Sequence, residues 1–314
     1  MDAGRLAVIT GPTAAGKSAL ALAIAERAGA TIVSADSRQL YRGFDVGTAK
    51  PSAAERARVH HTGIDVANPD ERWSAARWAE AAAGWIGAAH AEGRPVIIVG
   101  GTGLYLRALA SPLAQAPALD PARRAALDVV LERLPTAELR RWTVAIDPAR
   151  AHLGRTQLKR AVETAMLAGQ RLSSVFDAAA TASAPSAQGV LARRSVRYLV
   201  VDPGPVLAGR IEQRVDAMLL GGWLDEVRAL MESVHSSASA WNACGYEVLR
   251  SHLAGSLGLA EARARVIVAT RQYAKRQRTW MRHQLPPETV TRLDPGAVDA
   301  LERGWAWFRA GEGG

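Results

Sequence analysis

The chain carries a single cysteine, Cys244, in 314 residues. One thiol excludes a disulfide framework and any zinc module built on cysteines, and it fits a reducing compartment. Long apolar runs are missing as well. The longest apolar helical stretch, residues 19–25, is closed off by Lys17-Ser18 and Glu26-Arg27, far short of a membrane span. Met1 to Arg5, followed by the brief run Leu6-Ala7-Val8-Ile9, does not read as a signal peptide. The expectation is a soluble cytoplasmic protein, monomeric and without a membrane partner. Lysine is scarce: four of the 39 cationic residues are lysines. No internal repeat is present.

What is present is enough for a sizeable core, since 48% of residues are apolar and 22% charged. The length predicts two domains, or one large α/β domain carrying an insertion. A formal charge of +9 and a pI near 10.4 point towards an anionic partner. Arginine is spread along the whole chain, however, so where the charge clusters carries more information than its sum.

Short β-type runs alternate with Ala-rich helical stretches over the first hundred residues. Leu6–Ile9, Thr31–Val33 and Val96–Val99 read as buried strands, with helices over 19–27 and 75–92. Such alternation predicts βαβ units and a parallel sheet. From about Asp120 to Ala180 there is no strand-like run. Helical segments rich in Ala, Arg and Leu occur instead, broken at Pro135 and at Asp147-Pro148. Ala178 to Gly189 is a low-complexity Ala/Ser/Thr/Pro stretch, read as a flexible connection. A strand signal returns at Val196–Val201, and helical segments follow to about His283. The predicted organisation is an α/β core of residues 1–117 and 190–314, interrupted by a helical insertion domain at 118–189.

The strongest motif is Gly11-Pro12-Thr13-Ala14-Ala15-Gly16-Lys17-Ser18, which matches G-x-x-x-x-G-K-[ST] directly after a strand and opens a helix. The glycines let peptide N–H groups turn inward to cradle phosphate oxygens, and the helix adds its positive end. Lys17 suits neutralisation of a diphosphate or triphosphate, and Ser18 suits a Mg²⁺ that bridges phosphate oxygens. The whole resembles a P-loop NTPase-like parallel sheet core. The motif identifies phosphate binding but leaves the phosphate compound open.

The second strand runs into Ser34-Ala35-Asp36-Ser37-Arg38-Gln39-Leu40-Tyr41. C-terminal strand ends line the ligand crevice of such sheets, so Asp36 is expected to face the phosphates or the group they react with. A carboxylate there serves as general base or as an outer-shell Mg²⁺ partner; capping a helix or setting a turn is the alternative. The third strand ends in Gly100-Gly101-Thr102-Gly103-Leu104-Tyr105 and lacks the acid that an ATPase usually carries at such an end.

The segments Gly11–Ser18, Ser34–Tyr41, Gly47-Thr48-Ala49-Lys50-Pro51, His60-His61 with Asp65, Gly100–Tyr105 and Ala274-Lys275-Arg276-Gln277-Arg278-Thr279-Trp280 occur in this order with ordinary spacing. Together they resemble the bacterial tRNA dimethylallyltransferase family over nearly the whole chain. The resemblance implies that the phosphate loop holds the diphosphate of dimethylallyl diphosphate with Mg²⁺. It further implies transfer of the five-carbon group to N6 of the adenosine just 3′ of the anticodon. Matched by position, Asp36 is the expected general base and Thr102 orients the adenine. Lys17 and Ser18 with Mg²⁺ stabilise the departing diphosphate, and Arg210 reaches it. The target base has to leave its loop stack to enter the crevice.

The expected partner is the tRNA anticodon stem-loop. Arg263, Arg265, Arg271, Lys275, Arg276, Arg278 and Arg282 follow one another without an intervening acid, with Tyr273 and Trp280 interleaved. That pattern suits phosphate contact with stacking. By resemblance, Asp36, Ser37, Arg38, Gln39, Asn242, Gly245, Tyr246 and the stretch Lys275 to Arg282, including Gln277, contact the anticodon arm. Arg124 and Arg160 match further contacts, whereas Gln157 stands where the family carries an arginine. Arg155 or Lys159 are the nearest electrostatic substitutes. Lys17, Lys50 and Lys275, three of the four lysines, fall inside these motifs; ammonium and guanidinium are not interchangeable. Cys244 is expected as a small packed residue, and His60 and His61 as structural or substrate-loop residues. Two other classes stay open at this level: a P-loop small-molecule or nucleoside kinase, and an RNA-binding protein with an unused phosphate loop.

Overall fold

Six parallel strands make one sheet in the computed structural model, which describes residues 5–110, 117–181 and 195–310. They are β1 (Arg5–Thr10), β2 (Thr31–Ser34), β3 (His61–Thr62), β4 (Val96–Val99), β5 (Ser195–Val201) and β6 (Val290–Leu293). Their order across the sheet is β3-β2-β4-β1-β5-β6. Every residue of β2 and β4 is buried, which is why Val-Ile-Ile-Val in β4 reads as a continuous apolar run and β2 shows no alternation. β1 lies between β4 and β5, with Ala7 opposite Ile97 on one side and Arg197 on the other. The anticipated strands are all present. β3, two residues long, and β6, with the half-polar sequence Val-Thr-Arg-Leu, extend the sheet at its two edges beyond the sequence reading.

Helices cover the sheet because their small apolar residues pack on it. Lys17–Ala28 starts directly after Gly16 and is stopped by Gly29, whose positive φ of 62° lets its N–H return to Ala25. Ala75–Ala91 begins at Ser74, whose hydroxyl accepts the Arg77 N–H. The long helix Leu259–Gln284 runs for 26 residues, and Ala300–Arg309 closes the core by packing on Lys17–Ala28.

The chain divides into two compact units, Met1–Ser111 with Ala187–Gly314, and Pro112–Ser186. The second unit is helical, with Pro121–Arg133, Thr136–Ile146, Arg155–Ala168 and Leu172–Thr181 around Leu131, Leu139, Leu158 and Val162. Its breaks fall at Pro135 and Asp147, as the prolines dictate. The last of these helices continues to Thr181, past the start assigned to the low-complexity connection. From residue 182 to 194 that stretch lies outside the described residues.

Candidate active site

The carboxyl ends of β1, β2 and β4 open into one cleft, as expected at the switch point of a parallel sheet. The phosphate loop forms its floor. Gly11 has φ +152°, and a Cβ there would lie 2.0 Å from the Val201 carbonyl oxygen, so the loop grazes the end of β5. The first turn of Lys17–Ala28 holds no acid, which leaves the positive helix end uncompensated. Lys17 curls back so that Nζ donates to the Pro12 carbonyl at 2.8 Å. Burial and the neighbouring Arg214 push its ammonium down to about 8, against the opposing pull of Asp36. Ser18 is exposed at the mouth of the loop.

Asp36 lines the same cleft as Lys17, Ser18 and Arg214. Its Oδ1 accepts the Arg38 N–H at 2.8 Å, so the turn-setting role also occurs and fixes the carboxylate. Thr102 faces it across the strand ends and accepts the Ser37 N–H at 3.0 Å. Gln39 is knitted inward: Oε1 accepts from Ser34 Oγ at 2.9 Å and Nε2 donates to the Ala49 carbonyl at 3.0 Å. It therefore shapes the cleft wall and stays half-exposed there. Ala21, Ile32, Ile64 and Val99 give the cleft an apolar lining.

The wall opposite the phosphate loop is the segment 45–51. Lys50 is buried within it and binds Asp45 at 2.6 Å together with Asp65, while Arg56 grips the other oxygen of Asp65 at 2.7 Å. Burial would raise the Asp65 carboxyl, but these two cations outweigh it and hold Asp65 below the ordinary range. From behind, Glu226 accepts the N–H groups of Asp45 at 2.9 Å and Val46 at 2.6 Å, and the Tyr246 hydroxyl at 2.6 Å. His61 Nδ1 lies 2.7 Å from the Val59 carbonyl oxygen and the ring lines the cleft, with burial lowering its pKa. His60 is exposed. Among the described residues no group of three His, Cys, Asp or Glu side chains forms a metal cluster.

Arg210 reaches the loop backbone, with Nη1 3.4 Å from the Ala15 carbonyl oxygen. The residue that lines the cleft is Arg214, one turn further along Leu207–Leu220, and its guanidinium pKa is lowered by burial and raised by Asp36. The spacing Arg210-Ile211-Glu212-Gln213-Arg214 carries the signal, because residues four apart share a helix face.

The cationic run on Leu259–Gln284 needs correction. Acids from elsewhere meet it: Arg263 pairs with Asp216, Arg271 with Glu212, and Arg278 with Asp202 at 2.9 Å. Arg265 pairs with Glu261 on its own helix. Lys275, Arg276 and Arg282 are exposed, and among the described residues none has a salt-bridge partner. Gln277 is buried, and Arg278, half-exposed, is tied to Asp202 and the Gly204 carbonyl. Trp280 is half-buried against Gly103, where a Cβ would lie 2.5 Å from its ring. Tyr246 is fully buried and Gly245 sits under Trp223, so both support the wall and touch no solvent-borne partner. Asn242 is exposed, donating to the Ser239 carbonyl at 3.1 Å. Ser37 and Arg38 are half-exposed beside Asp36.

Within the second unit, Arg124 and Arg160 line one groove, and Gln157 is exposed. Arg124 pairs with Glu163 at 3.0 Å. Arg160 is lowered in pKa by burial and by Arg124 and Arg150. Both proposed substitutes for the missing arginine line the same groove, each with partners of its own: Arg155 bonds the Leu134 carbonyl at 2.6 Å, and Lys159 holds Asp128 and Glu132.

Residues 39–284 match the family described as IPP transferase. A tRNA dimethylallyltransferase from Anaeromyxobacter sp. (strain K) is 43% identical over 304 residues, covering 95% of this chain and 96% of that protein. The crystal structure of a full-length tRNA isopentenylpyrophosphate transferase from Bacillus halodurans shares 30% identity, with a TM-score of 0.67 and coverage of 98% and 96%. A eukaryotic dimethylallyltransferase solved acting on tRNA has the same fold, with a TM-score of 0.75 at 24% identity, covering 98% of this chain and 77% of that one.

Proposed function

Since the chain belongs to the IPP transferase family and is a tRNA dimethylallyltransferase, we propose that its donor is dimethylallyl diphosphate and its acceptor N6 of the adenosine 3′ to the anticodon. The observation that carries this reading is one cleft with two chemically distinct kinds of lining: the charged and polar Lys17, Ser18, Arg214 and Asp36, and the apolar Ala21, Ile32, Ile64 and Val99. A diphosphate fits the first and a five-carbon chain the second. A kinase acceptor gains nothing from such an apolar lining.

In the reaction the N6 lone pair forms a bond to the allylic carbon as the carbon–oxygen bond breaks, and the electron pair leaves on the diphosphate. Negative charge grows there in the transition state, where Lys17 and Arg214 line the cleft and the first turn of the helix after the phosphate loop carries no opposing acid. Asp36 accepts the N6 proton, since an aromatic amine is a weak nucleophile until that proton departs. Thr102, braced on Ser37, orients the base at the same strand ends. Mg²⁺ fits the chemistry of the site: the Ser18 hydroxyl, exposed at the loop mouth, is a hard oxygen donor that would hold it. When bound, it would neutralise leaving-group charge. The RNA-facing groups are Ser37 and Arg38 at the cleft and Lys275, Arg276 and Arg282 on the long helix. No described helix is long and apolar enough to cross a membrane; we read the chain as a cytoplasmic monomer.

The direct test mixes the protein with Mg²⁺, labelled dimethylallyl diphosphate and an unmodified tRNA transcript with adenosine after its anticodon. Label is expected on that adenosine. Absence of transfer to RNA that the protein demonstrably binds would remove this reading.

A further inference from the structure

The side chain of Gln277 joins three parts of the molecule that lie far apart in sequence. From the long helix it accepts the Thr13 N–H at 2.8 Å and donates to the Gly101 carbonyl at 3.0 Å. Thr13 belongs to the phosphate loop, and Gly101 to the loop that carries Thr102. Gln277 is 7% exposed, so its amide is buried with one end satisfied by each loop. Such an amide is held in one orientation, because turning it would strand a buried donor and a buried acceptor. The approach is close: a Cβ on Gly101 would lie 2.3 Å from Nε2. One turn before, Tyr273 lines the cleft, and burial pushes its phenol well above the ordinary range. One turn after, the Thr10 hydroxyl donates to Met281 Sδ at 3.7 Å. The same helix thus turns Lys275, Arg276 and Arg282 to solvent and its inner edge to both loops of the cleft.

We infer that Gln277 is a positioning residue that couples RNA seated on the outer face of this helix to the diphosphate loop. RNA fixes the helix, and Gln277 carries that position to the Thr13 peptide and to the loop of Thr102. The inference rests on the RNA reading above. Linkage makes the coupling reciprocal, so diphosphate tightens RNA binding by the same factor.

The test is calorimetric titration of the full chain with inorganic diphosphate and Mg²⁺, with and without an unmodified anticodon stem-loop. In the wild type the stem-loop is expected to tighten diphosphate binding about fivefold or more. Gln277→Glu sets a carboxylate oxygen against the Gly101 carbonyl, and Gln277→Met removes both hydrogen bonds at similar volume. In each the gain falls below about twofold, while stem-loop affinity measured alone stays within about threefold. Gly101→Ala crowds the contact from its other side and has the same effect. Variants that keep the full gain overturn the coupling, and so does a wild type that binds both ligands independently, whether or not a variant folds. A wild type that binds no stem-loop overturns the RNA reading instead.

Discussion

The charged groups of the cleft and those along the outer part of the long helix differ in what faces them. Arg263 and Arg271 each meet a carboxylate from Leu207–Leu220. In the cleft, Lys17 and Arg214 lie near Asp36 without a salt bridge to it among the described residues, and Lys17 rests on a carbonyl. Exposed ion pairs contribute little and leave no charge to offer. Desolvated cations without a carboxylate partner are costly to hold, and a bound anion relieves that cost. Lys17 and Arg214, desolvated and without a carboxylate partner among the described residues, thus set the proposed ligand cleft apart from the ion-paired Arg263 and Arg271, and the total of +9 hides this distinction.

The sharpest way to break the comparison is at Asp36, the carboxylate that lines the cleft with Lys17 and Arg214. Asp36→Asn keeps the shape of the cleft and its turn but removes the base. Transfer is expected to fall by about 10²–10⁴ in single-turnover assays, with diphosphate and RNA binding nearly unchanged. Turnover near wild type would show that Asp36 is not the proton acceptor.

The cleft cations come next. Lys17→Met and Arg214→Met are each expected to weaken binding of an unreactive alkyl diphosphate about ten- to hundredfold, the scale of a charged hydrogen bond. Arg263→Met leaves it unchanged. Lys17 also sets a pH dependence. Its ammonium is lowered to about 8, so in the free protein the charge is present below that pH and is lost as pH rises through it. Affinity for the alkyl diphosphate should fall above pH 8, and the dependence should vanish in Lys17→Met. A wild-type profile that stays flat from pH 7 to pH 9 would refute this assignment.

The smallest effects separate paired from unpaired cations on the helix. Lys275→Ala and Arg276→Ala should each reduce the salt dependence of RNA binding by about one unit of slope, whereas Arg263→Ala and Arg271→Ala leave it unchanged. Glu212→Gln releases Arg271 and should raise RNA affinity slightly, with a stability change under about 1 kcal/mol. Equal slopes for both groups would erase the distinction drawn here.

The parts legible from sequence are those whose physics is local. β2 and β4 are short apolar runs bounded by turn residues, and the phosphate loop announces itself by glycine spacing between a strand and a helix. Helix breaks at Pro135 and Asp147 follow from the missing N–H of proline. What escaped depends on partners distant in the chain. The carboxylates that neutralise the cationic run come from Asp202, Glu212 and Asp216, on segments before the long helix. Tyr246, assigned to the anticodon arm by resemblance, is buried with its hydroxyl donated to Glu226, twenty residues earlier. Gln277 sits in a stretch of cations, and its inward direction depends on which helix face meets the phosphate loop. β6 has a half-polar edge-strand sequence, so its place beside β5 was set by pairing and not by propensity. Arg214 shows a middle case, where helical spacing from Arg210 held the information.

The strand order has a consequence for how the chain is made. β1 is synthesised first, yet its neighbours are β4, which begins at Val96, and β5, which begins at Ser195. The phosphate loop that leaves β1 is packed at Gly11 against Val201. During translation one edge of β1 therefore stays open until β4 has emerged, and the other until β5 follows about a hundred residues later. Such long-range pairing makes folding slow and exposes the early chain to association. The phosphate loop follows the first strand of the sheet to be made, yet its setting is completed only when β5 arrives.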